Sequence, residues 1–330
     1  MNNKKKILYA INGTGQGHIS RAKSLIPYLK HYVDVDILVS GKLHELNLDT
    51  PIRYNLEGFT FVYEGGGVNW IKTILKAKPI QFIYDLFKID LKAYDMVVCD
   101  FEPISAWASF FRFKHCINVS HQASYYTLKT PRPRIWPFFI LAELFLRFYS
   151  FSFEYIGVHF KPYNTHVFPP VLHDDIINAK PSKNNYISIY LSAFSLQEQI
   201  DFFKHFPDYT FEIFHNHCKE ETILQNLRLF PLSDHFKDSL IHSNGYISNA
   251  GFESNAEALY LEKPLLCIPI KAQYEQYCNA AALKQLGVTI IKKLDKQKVL
   301  HWLKNREVLD PISVCNTDQF AQAIIKKIRP

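Results

Sequence analysis

Short apolar runs, each closed by a turn and followed by a stretch with apolar positions three and four apart, recur along this chain. Ile7–Ile11, Val35–Val39, Met96–Cys99 and Cys116–Val119 read as buried parallel strands, because a strand covered on both faces loses its in–out alternation. After the first run, Ala22, Leu25, Ile26 and Leu29 mark a helix. Ile52–Tyr63 alternates as a third strand region, and Val68–Tyr94 reads as helical with a break near Pro79. A polar stretch with Pro162, Pro169, Pro170 and Pro181 interrupts the pattern, which resumes with strands over Tyr186–Leu191, Thr210–Phe214, Tyr246–Ile247 and Leu265–Pro269. The alternation predicts an α/β protein of two Rossmann-like domains, residues 1–165 and 186–330, joined by a linker over 166–185.

Two turns carry candidate chemistry. The first strand runs into Asn12-Gly13-Thr14-Gly15-Gln16-Gly17-His18. Glycines let backbone approach a ligand, and the following helix start offers free N–H groups to an anion. A dinucleotide fingerprint needs glycine at position 18, so His18 weakens a dehydrogenase reading, although Asp34 and Asp36 stand roughly where a ribose-binding acid belongs. A histidine at a helix N-terminus is held neutral by the helix dipole and can accept a proton. The plainer alternative is a helix-start residue bonding a loop carbonyl. Asp100, closing its strand, is placed either to orient His18 or to cap the next helix. His121 and Gln122 follow the next strand at the same edge, and the Glu64–Gly67 turn reads as cleft-facing or as plain surface.

The second stretch is Tyr246–Ala280. Backbone N–H groups near Gly251 suit a diphosphate, Ser254 adds a hydroxyl, Glu257 can accept two ribose hydroxyls, and Glu275 and Gln276 can read a sugar. An ordinary βαβ segment with capping Ser and Glu is the alternative. Ser192, in the turn after the Tyr186–Leu191 strand, offers another donor or a cap.

The run Asn249-Ala250-Gly251-Phe252-Glu253-Ser254-Asn255-Ala256-Glu257, with Pro264, Pro269, Glu275-Gln276 and Asn279-Ala280, resembles the donor-binding signature of GT-B glycosyltransferases of families 1 and 28. The turn ending in His18 resembles the GxGxGH turn of family 28. The resemblance implies a GT-B fold, two facing Rossmann-like domains about a cleft. It implies that Gly251 and Ser254 contact the diphosphate, Glu257 the ribose, and Glu275 and Gln276 the transferred sugar. Asn249 and Ser192 join the donor side, while Gly15, Gly17 and His121 line the acceptor side. His18 is implied as the base, steadied by Asp100. Asn249 stands where the family has His, and Glu253 where it has Asn. The implied reaction is inverting transfer from a nucleotide sugar, UDP-linked by the same resemblance, to an acceptor hydroxyl, with no metal or other cofactor. The tail, Gln319–Ile328, is expected to return to the first domain.

The 330 residues carry a net charge of +7 and are 48% hydrophobic, which admits an anionic substrate or a membrane surface. Nucleic acid is disfavoured, because basic residues do not alternate with aromatics along one long face. Six scattered cysteines without a CxxC read as reduced thiols of a cytoplasmic protein. Neither a signal segment nor a membrane-spanning run is evident. Lys129–Lys161 sets Arg132, Arg134 and Arg147 among aromatics. It reads as a core helix, or as a helix edge at the inner membrane face serving a lipid-linked acceptor. His215-Asn216-His217-Cys218 lacks a second ligand pair for a metal, and Asp34-Val35-Asp36 precedes its strand rather than ending it. A nucleotide-sugar 2-epimerase and a non-catalytic nucleotide-sugar or lipid-binding protein are the alternatives, and the oligomeric state is left open.

Overall fold

The computed structural model describes residues 4–14, 16–41, 50–58, 63–64, 67–68, 78–133 and 139–329. The first half holds strands β1 (Lys6–Asn12), β2 (Asp34–Ser40), β3 (Ile52–Leu56), β4 (Tyr63–Glu64), β5 (Gly67–Val68), β6 (Met96–Asp100), β7 (Cys116–Ser120), β8 (Glu154–Val158) and β9 (Val167–Phe168). Seven of them form a parallel sheet in the order β3-β2-β1-β6-β7-β8-β9, and β4 and β5 pair apart from it. The second half holds β10 (Ile187–Tyr190), β11 (Phe211–Phe214), β12 (Thr222–Leu224), β13 (Leu227–Phe230), β14 (Tyr246–Ser248), β15 (Leu265–Cys267) and β16 (Thr289–Ile290). Their order is β12-β13-β11-β10-β14-β15-β16, with only β12 and β13 antiparallel.

The helices are α1 (Gln16–Tyr32), α2 (Pro79–Lys88), α3 (Pro103–Phe111), α4 (Ile140–Phe148), α5 (Asp174–Ile177), α6 (Leu196–Phe203), α7 (His235–His242), α8 (Glu253–Tyr260), α9 (Tyr274–Gln285), α10 (Lys296–Asn305) and α11 (Thr317–Ile325). Their starts are specified locally. Ser195 and Glu198 form a reciprocal capping box on α6. Glu102 caps α3 by accepting from Ile104 N and Ser105 N, and Pro103 supplies a first helical residue that needs no N–H partner.

In each sheet the strand order reverses once near the middle, between β1 and β6 and between β10 and β14. Ligands of open α/β sheets sit in the crevice at such a reversal, beyond the strands' C-terminal ends. The first reversal is flanked by the turn to His18 and by Asp100. The second is flanked by the Ser192–Ser195 turn and by Asn249–Ser254. One apolar cluster spans both halves, joining Ile7, Ile11 and Val158 to Phe252, Ala256 and Phe320. The tail returns as expected: Tyr32 on α1 donates to Asp318 of α11, and Phe168 meets Phe320 edge to face.

Several expectations change. Strands β8 and β9 were not foreseen, and Val167–Phe168 adds to the first sheet inside the stretch read as linker. Val68 falls in β5 and a helix, α2, begins at Pro79, while the intervening part of the expected helical stretch, residues 69–77, lies outside the described residues. Strand β2 begins at Asp34, so Asp34 and Asp36 sit at the N-terminal edge, away from both turns. Asp36 is occupied there by Lys6 at 3.0 Å and the Tyr94 hydroxyl at 2.8 Å. A ribose-binding acid at the end of β2 is thereby removed from the dehydrogenase reading.

Candidate active site

Asp100 ends β6 with its side chain wholly buried. Its Oδ1 lies 2.7 Å from His18 Nδ1, in the first turn of α1. Arg21, one turn further along α1, donates from Nε and Nη2 to the two Asp100 oxygens at 3.0 and 2.6 Å. The Tyr9 hydroxyl approaches Asp100 Oδ2 at 3.4 Å. Burial pushes the Asp100 carboxyl up, but the charges of Arg21 and His18 and their hydrogen bonds outweigh it and leave the group below its usual range. An ionised Asp100 can only accept, so His18 presents an N–H to it from Nδ1, and Nε2 has no hydrogen-bond partner among the described residues. The imidazole also stacks on Phe101, with ring centroids 5.9 Å apart. Phe101 sits at φ 51°, a left-handed conformation uncommon for a bulky residue, and its carbonyl accepts from Asn12 Nδ2. The ends of β1 and β6 are thereby tied together beneath the histidine.

Opposite lies the start of α8. A Cβ placed on Gly251 would meet nothing within 4 Å, so space stands open before the helix N-terminus. Ser254 Oγ accepts from the Tyr246 hydroxyl at 3.1 Å and remains partly exposed. Glu257, one turn inward, is only 7% exposed, and no hydrogen-bond partner for its side chain exists among the described residues. Burial raises its carboxyl to about 7, with Lys237 pulling weakly the other way. The Glu257 carboxyl oxygens are not among the enclosed, unsatisfied polar atoms, so the residue's small exposed area includes them and a ligand donating hydroxyls can reach them.

The two edges meet. Arg21 Nη1 donates to Glu253 Oε1 at 2.6 Å, and a Cβ on Gly17 would stand 2.9 Å from Glu253 Cγ. Phe252 stacks on the His121 ring, centroids 4.0 Å apart. Tyr125 donates to Asn279 Oδ1 at 2.6 Å, Gln122 Nε2 to Glu275 Oε2 at 3.1 Å, and Tyr274 to Glu143 at 2.5 Å. First-half and second-half residues therefore form one continuous seam.

Two expected contact residues have other occupations. Asn249 is buried, and its amide accepts from Ala193 N and Ser192 Oγ while donating to Ile268 O. It ties three loops together rather than facing a ligand, and it engages the Ser192 hydroxyl. His121, expected on the acceptor side, is 2% exposed. Its Nδ1 donates to Val158 O at 2.8 Å, and its Nε2 lies against Asn279 and Tyr125, so it belongs to the seam. Gln276 is buried, with Oε1 accepting from Ile270 N at 2.9 Å, which fixes the direction of its amide. Gly15 lies outside the described residues, as do Gly65, Gly66 and Arg134.

The aromatic segment divides. Leu146 and Glu143 of α4 are buried, and the Arg132 guanidinium is consumed by Glu143 and by backbone carbonyls at Tyr125, Thr127 and Thr130. Arg147 likewise bonds Tyr126 O. Arg132 and Arg147 are thus spent on the fold, which favours the core-helix alternative over the membrane-facing one for these two residues. Phe148, Phe151, Phe110 and Phe153 instead form an exposed or half-exposed run of touching rings. Among the described residues no cluster of three or more His, Cys, Asp or Glu is arranged to hold a metal; His215 bonds Phe194 O and His217 N.

Arg21 was the residue that sequence reading missed. Its signal was available: His18 and Arg21 are three apart and therefore share a helix face, beside the buried Ala22 and Leu25.

A family model described as glycosyl transferase family 1 matches residues 5–306. No curated protein is similar by sequence. Among solved structures, the chain resembles the glycosyltransferase SnogD from Streptomyces nogalater, with TM-score 0.59 and 14% identity, covering 98% of this chain and 99% of that one. It resembles MurG from Acinetobacter baumannii, with TM-score 0.58 and 16% identity, covering 98% and 99%. It also resembles a putative UDP-N-acetylglucosamine 2-epimerase from Listeria monocytogenes, with TM-score 0.61 and 11% identity, covering 98% and 96%. At these identities the likeness speaks to the fold alone.

Proposed function

The chain belongs to glycosyl transferase family 1 and has the GT-B fold, and on that premise we propose that it moves a sugar from a nucleotide sugar, most simply a UDP-sugar, to an acceptor hydroxyl with inversion. The observation that carries this reading is the meeting of the two edges. The start of α8 abuts the turn that bears His18, through Arg21, Gly17 and Glu253.

In this reading Glu257 receives the ribose hydroxyls, and the open N-terminus at Gly251–Ser254 receives the diphosphate. Glu275 and Gln276 face the transferred sugar. His18 Nε2 removes the acceptor proton, and Asp100 holds the ring and offsets the charge it gains. The acceptor oxygen bonds to the sugar C1 as the bond from C1 to the diphosphate oxygen breaks. The electron pair departs with the diphosphate, whose charge meets helix N–H groups and the Ser254 hydroxyl.

A membrane-near acceptor is part of the proposal. Phe113 is 98% and Phe153 82% exposed, and Leu141 on α4 adds to the same half's apolar surface. No helix among the described residues is long and apolar enough to cross a membrane, so any attachment read from this surface is peripheral.

A 2-epimerase has the same fold and needs no acceptor. The placement of a His18–Asp100 pair with a free Nε2 favours transfer, since an incoming hydroxyl needs a base. The test is a thermal-shift panel of nucleotides and nucleotide sugars, followed by product analysis with and without acceptors. Stabilisation by one nucleotide family, with nucleoside diphosphate released only when an acceptor hydroxyl is present, supports transfer. Conversion of donor alone to an isomer moves the protein to the epimerase reading.

A further inference from the structure

Glu253 occupies a position where the family signature carries Asn, and it faces the other half of the molecule. We infer that Glu253 is a positioning residue for the His18–Asp100 pair, acting across the boundary between the halves through Arg21. This rests on the proposed role of His18 as base.

The geometry supplies each link. Arg21 is almost wholly buried, and its guanidinium is a rigid planar fork. Two of its nitrogens grip the Asp100 carboxylate, and the third, Nη1, reaches Glu253 at 2.6 Å. Fixing the far corner of a rigid plane fixes the near corners. Asp100 Oδ1 is shared: it accepts from Arg21 Nη2 at 2.6 Å and from His18 Nδ1 at 2.7 Å. Arg21 Nη2 itself lies 3.2 Å from His18 Nδ1, two donors side by side, a placement that holds only while Oδ1 stands between them. A guanidinium released at its far corner can swing, and the oxygen that orients the imidazole moves with it.

Glu253 is itself well held. Phe252, the preceding residue, is seated on the His121 ring and against Phe160. Position 17 is a glycine where any side chain would collide with Glu253 Cγ. The carboxyl is pushed up to about 8 by burial, with Arg21 pulling down and Glu257, Asp100 and Glu275 pushing up. Its function here does not need full ionisation, because a neutral carboxyl or amide oxygen also accepts the Arg21 N–H. The donor half thus completes the setting of a base that belongs to the acceptor half.

The test uses the full chain with Glu253→Ala, Glu253→Gln, Arg21→Lys and the Arg21→Lys/Glu253→Ala pair. Arg21→Lys keeps a charge beside Asp100 while losing the fork. Transfer kinetics and the ring resonances of histidine-labelled protein are measured together, with the His18 signal identified by its loss in His18→Ala. The expected result for Glu253→Ala is a kcat lower by about tenfold, a fraction of the roughly 10²–10⁴ that a placed base contributes. Donor KM should move less than kcat, and the His18 signal should shift. Glu253→Gln should recover most of the loss, and Glu253→Ala should cost little further in the Arg21→Lys background. Wild-type kcat and an unmoved His18 signal in Glu253→Ala would overturn the inference, as would a full loss persisting beside Arg21→Lys. If the wild-type chain transfers no sugar from any donor, the proposed function fails separately, and the His18 resonance alone decides the positioning role.

Discussion

At the scale of single residues, Glu257 makes the sharpest statement. Its carboxyl stands near 7 in the folded chain against an ordinary value of 4.5, because burial disfavours its charged form more than Lys237 favours it. For a group whose folded value is raised, the stability it contributes is fully present below about 4.5 and is lost as pH climbs through about 7. The ligand-free protein should therefore melt at lower temperature at pH 8 than at pH 5. Glu257 accounts for on the order of 3 kcal/mol of that difference by linkage. Melting curves of wild type and Glu257→Gln across this range check it: the substitution should flatten the slope, and an unchanged slope would contradict the assignment. Glu257→Ala should also weaken nucleotide binding by tenfold or more, since hydrogen bonds to a charged acceptor contribute roughly 1.5–3 kcal/mol each. Titration calorimetry reads that loss directly. The residue was legible in the sequence because its spacing from Gly251 and Ser254 resembles a known signature. The link from Arg21 to Glu253 was not legible, because it joins positions 232 residues apart and exists only once two halves face each other.

At the scale of elements, the chain announced its strands where burial is two-sided. β1, β6, β14 and β15 are apolar runs closed by turns, which is how central parallel strands read. β8 was hidden by the aromatic stretch before it, and β9 has only two residues, too few for a pattern. The turn to α8 was read for its chemistry, but its shape gives a new test. Gly251 has open space around its missing Cβ, and its φ is not in the left-handed region. Gly251→Val should therefore leave the ligand-free melting temperature nearly unchanged while lowering donor affinity strongly, because the new methyls enter the space proposed for the diphosphate. A large drop in stability with binding intact would show that the glycine serves the fold instead. At α6, Ser195→Ala should cost about 1 kcal/mol by removing one half of the capping box. Denaturant unfolding measures it.

At the scale of the whole molecule, two sheets each reverse strand order once, and the two reversals confront each other across a seam of aromatic and polar contacts. The two-domain plan was legible in the repetition of the strand-and-helix pattern. The seam was not, since Tyr125, Glu143 and Tyr274 are unremarkable until they touch. The run of exposed rings ending at Phe153 belongs to this scale as well. If the acceptor is membrane-near, the chain should co-sediment with anionic vesicles, and Phe113→Ser with Phe153→Ser should reduce that binding several-fold while nucleotide binding persists. Absence of vesicle binding at low salt would remove the membrane from the account.

The central claim is that a donor site on α8 and a base on α1 form one reaction centre. It is tested most directly by comparing wild type with His18→Ala in nucleoside diphosphate release from the best-stabilising donor. The assay includes a membrane lipid extract and soluble hydroxyl acceptors, and donor affinity is measured on the same samples. The account predicts release slower by at least about 100-fold with donor affinity unchanged, the loss expected when a placed base is removed. Release within a few-fold of wild type would contradict it.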